Sequence, residues 1–366
     1  MIQLESLSIR NFRGFDNLEM KDFSKINVLL GENNCGKTSV LESIFLLTGI
    51  SNPLLAVTIN QLRKITPNKN ALKYIFYKLD TQNKPQINGC FSQKASRELE
   101  ITPIFEKNHV VNVNNIMKTS EQNNPLSTSS LPTAPDIEGL NYISYIKNPH
   151  EPKKIRNAEL HFRPDGSFEL PSGFMFKGDI VSTFLSSENV DAGFPDRLKM
   201  LFIAKKEPVI NELLSKFDEK IKGIYVLQND IYLDMEGVSE RIPLQLFGNG
   251  IRHFLNIATT IASNHEQNFI CLIDEIENGL HFKSQELMWQ TLFRLTKSAN
   301  IQLFITTHSW EMLQSLTNVL NQSDYIEMQN SVKVFSIVHT LKDGFQSYAR
   351  SFDDLDLALE NLMEIR

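Results

Sequence analysis

Eight consecutive residues, Gly31-Glu32-Asn33-Asn34-Cys35-Gly36-Lys37-Thr38, fit the spacing GxxxxGK[ST]. Glycines at the ends of such a run free the backbone to wrap, so that the N–H groups of Asn33, Asn34, Cys35 and Gly36 point inward at phosphate oxygens. Lys37 then reaches the β- and γ-phosphates, the Thr38 hydroxyl ligates Mg²⁺, and Ser39 faces the α-phosphate at the start of a helix. A chance match in a chain of this length is on the order of one in a hundred. The chemistry indicated is binding of a nucleoside triphosphate, ATP with Mg²⁺.

Two further runs share one design, an apolar stretch that ends in polar groups. Phe269-Ile270-Cys271-Leu272-Ile273 is followed by Asp274 and Glu275, and Ile301-Gln302-Leu303-Phe304-Ile305 by Thr306, Thr307, His308 and Ser309. Strands of a parallel sheet deliver such residues to its carboxyl edge, where ligands of α/β folds collect. There Asp274 would hold Mg²⁺ through water, Glu275 would polarise the attacking water as general base, and His308 would contact the γ-phosphate. An acidic helix cap is the ordinary alternative for the acidic pair; the P-loop in the same chain favours catalysis. A fourth run, Leu246-Phe247-Gly248-Asn249-Gly250-Ile251-Arg252-His253, leads into a helical pattern carried by Phe254, Ile257 and Ile261. Gly-Asn-Gly at a helix start presents N–H donors to an anion.

The elements that must position these groups are legible around them. Ile26 to Leu30 reads as a strand buried on both faces, ending in Gly31, and Thr38 to Thr48 as a helix with Leu41, Ile44, Phe45 and Thr48 on one side and Gly49 as its stop. Ile2, Leu4, Leu7 and Ile9 alternate with polar residues except for one phase slip, which predicts strands with a bulge, and Asn11 to Phe15 reads as a turn. Glu98–Phe105, Val110–Val113 and Ala158–Phe162 read as strands of an antiparallel layer. Residues 114 to 136, crowded with Asn, Ser, Thr and Pro, read as a flexible loop. Residues 195 to 222 read as helical, with Ile210, Leu213, Leu214, Phe217 and Ile221 on one face and Pro208 opening a second helix; the pattern is too short for a coiled-coil arm. Gly223 to Gln228 reads as a strand entering a hairpin. The division predicted is lobe I over 1–189, a helical insertion over 190–222 and lobe II over 223–366.

Composition sets outer bounds. The chain has 366 residues, 41% hydrophobic and 22% charged, which suits a folded soluble protein able to bury its own core. A net charge of −6 argues against a uniformly basic nucleic-acid coat. Its 3 cysteines, Cys35, Cys90 and Cys271, stand far apart, without the spacing of a disulfide framework or a zinc site. The charged N-terminus lacks a signal-peptide core, and no apolar run approaches the roughly 18 residues of a membrane helix; the expected setting is cytoplasmic, with no membrane partner. A GTPase would need NKxD, and Asn68-Lys69-Asn70-Ala71 lacks the aspartate that reads guanine.

The order P-loop, Gly-x-Gly helix start, apolar strand with Asp-Glu, then strand with His resembles that of ABC-type ATPases. The opening LSIRNFRGF, the loop GENNCGKTS, the block LIDEIENGLHFKSQ, the phrase FITTHS and the ending SFDDLDLALENLMEIR are similar to the SMC/RecF/OLD branch. Within it they most resemble the compact AAA-fifteen/OLD-type ATPases of bacterial phage-defence operons. The resemblance covers residues 1 to 65 and 223 to 366 and is poor over 66 to 180. It implies an α/β P-loop NTPase with an ABC-type, SMC/RecF-like head: a mixed sheet core, an antiparallel β layer and a short helical insertion. It implies ATP held between two subunits of a homo-oligomer, with Gly248, Asn249 and Gly250 acting in trans and Arg13 approaching the nucleotide. It also implies a separately encoded effector such as a TOPRIM-like nuclease, since this chain ends too soon after His308 to carry one. The alternatives are a RecF-like ATPase that clamps DNA, and a slowly hydrolysing ATP-bound scaffold that sequesters a toxic partner. Gly248 stands where the signature serine is usual, His281 where an aspartate is usual, and Glu277 is the second candidate base. Gln61 and Gln93 are candidates for the glutamine loop.

Overall fold

The computed structural model describes residues 2–105, 137–163, 165–170, 180–186, 193–228, 230–264 and 268–361. The loop expected at 114–136 and the strand expected at 110–113 lie outside them. β1 (Leu4–Phe12) and β2 (Phe15–Lys21) form the opening hairpin, and β3 (Ile26–Leu30) runs into the P-loop and α1 (Lys37–Thr48). After α2 (Leu54–Leu62) come five strands: β4 (Gln86–Phe91), β5 (Ala95–Phe105), β6 (Ile137–Lys147), β7 (Lys154–Phe162) and β8 (Phe168–Glu169). They join β1 and β2 in a 7-stranded antiparallel sheet of order β2-β1-β4-β5-β6-β7-β8. The phase slip in β1 is real: its register against β4 shifts between Leu4 and Ser6.

The second sheet carries the chemistry. β9 (Val181–Leu185), β13 (Phe269–Ile273), β14 (Ile301–Thr306), β15 (Val332–Thr340) and β16 (Gly344–Arg350) join β3 in the order β16-β15-β3-β14-β13-β9. All neighbours in it are parallel except the β15–β16 hairpin. Every residue of β3, β13 and β14 is buried, because both faces of this sheet are covered. Leu29, Ile270, Leu272, Phe304 and Phe335 pack with α1 and the antiparallel sheet. The alternate positions, among them Val28, Cys271, Ile273, Leu303 and Ile305, pack against α5 (Asn249–Ser263), α6 (Phe282–Thr296), α7 (Trp310–Leu320) and α8 (Phe352–Glu360). Sandwiched between two sheets, α1 is buried on nearly every side.

A third cluster holds the middle of the chain. α3 (Phe194–Ile203), α4 (Glu207–Phe217) and the antiparallel strands β10 (Ile221–Leu227), β11 (Asp230–Met235) and β12 (Ile242–Pro243) pack Leu198, Ile210, Leu214, Ile224 and Leu233 against Leu255 of α5. This corrects the helical reading of 195–222. The helix ends at Phe217, and Ile221 is the first residue of β10. Ile221 is buried in the same cluster as Ile210 and Leu214, so its apolar spacing matches the helix although the backbone has already turned. Among the described residues no helix is long and apolar enough to cross a membrane.

Candidate functional site

Parallel pairing sets the ends of β3, β14 and β13 side by side, with Leu29 level with Thr306 and Ile305 level with Ile273. The strand carrying Thr306 to His308 therefore lies between the P-loop strand and the Asp274–Glu275 strand. The P-loop can wrap because Gly31 adopts φ +145°, and a Cβ there would lie 2.6 Å from the Ile337 carbonyl oxygen and 2.5 Å from Cys35 Sγ. Lys37 Nζ donates to the carbonyls of Gly31 and Glu32 at 2.8 and 2.9 Å, lying along the loop it serves.

The three strand ends are tied together through Asp274. Thr38 Oγ1 donates to its carboxylate at 3.0–3.1 Å and Thr306 Oγ1 at 2.6 Å. Thr306 Oγ1 in turn accepts from the Glu275 N–H at 2.8 Å. Glu275 takes the left-handed conformation, φ 53°, which turns its side chain into the same cleft as Asp274 and carries backbone strain of the kind found at functional sites. Burial pushes the Asp274 carboxyl above its usual range, against the two hydroxyl donors that pull it down, while Glu275 and Glu42 add to the rise. A buried carboxylate whose bonded neighbours are hydroxyls is suited to a cation. Among the described residues no cluster of three or more His, Cys, Asp or Glu could hold a metal by itself. Thr38 and Asp274 are hard oxygen donors of the kind an Mg²⁺ ion uses when it also brings phosphate oxygens and water.

His308 stands next on the same edge. Glu277 Oε1 accepts from both the His308 backbone N–H and ring Nδ1, each at 2.8 Å. Glu277 thereby anchors the imidazole, a role different from that of a spare base. His308 lines an open cleft of about 1120 Å³ together with Arg13, Asn33, Asn34, Gly36, Lys37, Thr38, Ser39, Asp274 and Glu275, and Glu277 stands behind it, outside the cleft lining.

The pattern that defines the AAA ATPase domain family matches residues 2–170 and 182–313. The chain belongs to this family. The match runs through 66–170, where the sequence blocks alone showed little resemblance. The chain is 28% identical over 340 residues, 88% of its length and 90% of the relative's, to a protein of Helicobacter pylori named ATP/GTP phosphatase. A 46-residue stretch, 13% of this chain and 12% of the relative, is 48% identical to the DNA replication and repair protein RecF of Listeria welshimeri. Among solved structures, an Smc head bound to the C-terminal winged-helix domain of ScpA aligns with a TM-score of 0.48 and 13% identity, covering 99% of this chain and 100% of that one.

In this AAA ATPase domain the remaining expected residues fall at varied distances from the cleft. Gly248, Asn249 and Gly250 open α5, with Gly248 as N-cap, and none of them lines the cleft of their own chain. Asn249 accepts a hydrogen bond from Arg252. Gly250 rests on Gly279, in the turn after β13. His281 takes the N-cap position of α6, its Nδ1 accepting from the Lys283 N–H at 3.4 Å, which is work an aspartate could also do. Neither Gln61 nor Gln93 lines the cleft.

Three functional candidates escaped sequence reading. Thr306, at the head of the His308 run, is the hydroxyl that links Asp274 to Glu275. Glu42, wholly buried on α1, accepts from Arg13 Nε at 3.0 Å and from Arg63 Nε at 2.6 Å. The glutamate inside the apolar run VLESIFLLT was the available signal for it. Arg63, just past α2, has none, since it is brought to α1 by tertiary packing alone.

Proposed function

We propose that the protein binds Mg-ATP in this cleft and hydrolyses it at the carboxyl edge of the parallel sheet. The observation that carries the reading is the Thr38–Asp274–Thr306–Glu275 chain of hydrogen bonds, which joins P-loop, acidic strand end and His308 strand in one constellation. Backbone N–H groups of Asn33 to Gly36 and Lys37 bind the phosphates, with Ser39 at the helix start. Thr38 and Asp274 would hold Mg²⁺, which would offset the negative charge of the phosphate oxygens. Glu275 takes the proton of the attacking water as its oxygen bonds to the γ-phosphorus and ADP leaves. His308, fixed by Glu277, faces the terminal phosphate. The name of the Helicobacter pylori relative supports hydrolysis of a nucleoside triphosphate.

Gly248, Asn249 and Gly250 stand outside their own cleft, and in our reading they close the site of a second copy, so that ATP drives homo-oligomer assembly. Lobes 1–189 and 223–366, with the insertion at 190–222, are the units of that assembly. The control of a separately encoded effector, and a setting in bacterial phage defence, are supported by the resemblance of the sequence blocks. The test is Glu275→Gln, which should hydrolyse ATP about 10²- to 10⁴-fold more slowly while retaining it. Light scattering on that variant should show a larger assembly with Mg-ATP than without. Undiminished hydrolysis would overturn the assignment of the base, and an assembly indifferent to nucleotide would overturn the composite site.

A further inference from the structure

Family resemblance gives nucleotide contact to Arg13, but the geometry of the cleft wall divides the work differently. Glu42 is wholly buried on α1, one turn beyond Thr38. A buried carboxylate is tolerable only when paired, and here two guanidiniums share it. Arg13 donates Nε and Nη2 to Glu42 at 3.0 and 3.2 Å, and Nη1 to the Tyr74 carbonyl at 3.1 Å. Each of its three nitrogens is engaged, and its side chain is only 8% exposed.

Arg63 donates Nε and Nη2 to the same carboxylate at 2.6 and 3.2 Å, and Nη2 also to Ser39 Oγ at 3.2 Å. Its Nη1 makes no hydrogen bond to the described residues, and its side chain is 38% exposed. Two cations on one anion leave a net positive charge on this wall, and Arg63 is the member that presents it. Arg63 lines the main cleft and also an adjoining cavity of about 240 Å³ shared with Thr38, Asp274, Glu275 and Ser186. Burial lowers the affinity of Arg63 for its proton, but the hydrogen bond and charge of Glu42, with Asp274 beside them, outweigh that and hold it charged.

We infer that Arg63 is the phosphate-binding arginine of this site, and that Arg13 is a positioning residue that holds Glu42, and through it Arg63, in place. The inference rests on the reading of the cleft as an ATP site. Its hydrogen bond to Ser39, at the start of the P-loop helix, sets Arg63 beside the inner phosphates, so ATP and ADP are bound through it alike. A planar fork with one nitrogen on Ser39 and another making no hydrogen bond to the described residues suits a phosphate oxygen in a way that a lysine ammonium does not.

The experiment is equilibrium binding of ATP and of ADP, by calorimetry, to the full-length chain and to Arg63→Gln, Arg63→Lys, Arg13→Gln and Lys37→Ala, with thermal melting of each in the absence of nucleotide. Arg63→Gln should lose about 10- to 100-fold in affinity for both nucleotides, the scale of one charge-assisted hydrogen bond. Its nucleotide-free melting should stay close to that of the parent, because Arg13 still pairs Glu42. Arg63→Lys keeps the charge and should fall between, and it serves as the probe if the glutamine variant does not fold. Arg13→Gln should melt earlier and lose less affinity than Arg63→Gln. Unchanged binding in Arg63→Gln, or a larger binding loss in Arg13→Gln, would overturn the inference, and a loss confined to ATP would overturn the placement beside the inner phosphates. Lys37→Ala separates the two levels: if it binds ATP normally the site reading itself fails, whereas its loss of binding with Arg63→Gln unaffected sinks only the role given to Arg63.

Discussion

A methyl group added at Gly250 would test how the start of α5 is seated. A Cβ built there lies 2.2 Å from the Gly279 carbonyl oxygen and 3.0 Å from its carbon, roughly 1 Å closer than carbon and oxygen atoms pack. The obstacle is backbone and cannot swing aside as a side chain would. Either the first turn of α5 lifts, disturbing the seat of Phe254, Leu255 and Ile257, which are 0% exposed, or the turn after Glu275 is displaced. Overpacking of this kind destabilises by about 1–3 kcal/mol. Gly248→Ala is the internal control, since a Cβ there meets nothing within 4 Å and its φ of −61° and ψ of 158° suit any residue; as an N-cap exchange of glycine for alanine it should cost no more than about 1 kcal/mol. Gly279 holds φ +72°, and a Cβ there would lie 2.9 Å from the Gly250 nitrogen, so Gly279→Ala adds backbone strain to the same clash. The double variant should then lose less than the two single losses added together, because the backbone displacement that admits one methyl also makes room for the other. Urea unfolding monitored by circular dichroism measures the four variants and the parent. If Gly250→Ala proves as stable as Gly248→Ala, the helix start is not seated on that turn and the reasoning is refuted.

The same geometry makes other outcomes testable. Lys37→Ala should abolish ATP binding in a calorimetric titration, and normal affinity would remove the P-loop from the site. Glu277→Gln keeps an oxygen for the His308 N–H but loses its charge, so hydrolysis should fall about tenfold, with ATP affinity held within about twofold; a loss as deep as that of Glu275→Gln would make Glu277 the base instead. His253 on α5 is 1% exposed, and its ring nitrogens make no well-formed hydrogen bond among the described residues, with only a weak approach to the Ile276 backbone. Burial pushes its pKa from 6.5 down to about 4, only partly opposed by the nearby Ile276 backbone. The unfolded chain therefore takes up this proton at a higher pH than the folded one, so stability is full above the ordinary histidine pKa and falls as the pH drops below it. Between pH 7 and pH 5 the loss from this group is about 2 kcal/mol. Urea unfolding at the two pH values should show that loss, and His253→Leu should abolish it; an equal slope in the variant would assign the dependence to other groups.

Periodicity and motif together determined much of this protein. Ile26–Leu30, Phe269–Ile273 and Ile301–Ile305 could be read as core strands because a strand covered on both faces must be apolar throughout, and that requirement is local. The P-loop, Asp274, Glu275 and His308 could be read as one site because parallel strands carry the residues at their carboxyl ends to a common edge. Even the bulge in β1 was legible, since a slip in a period of two changes which residues face the core. Ile221 was misread because apolar spacing records the face that is buried and is silent on whether the backbone reaches it by a helix or by a new strand.

Only the tertiary structure decided the pairings between residues distant in the chain. β14 lies between β3 and β13, and that order makes Thr306 the bridge between Asp274 and Glu275. The seat of Gly250 on Gly279, the hold of Glu277 on His308 and the sharing of Glu42 by Arg13 and Arg63 likewise join segments with no common period or spacing. Such contacts arise from packing and from the need to neutralise a buried charge. A lone glutamate in an apolar run can mark the charge, as at Glu42, but those forces act between whatever groups the fold brings together, and so the choice of partner leaves no local mark on the sequence.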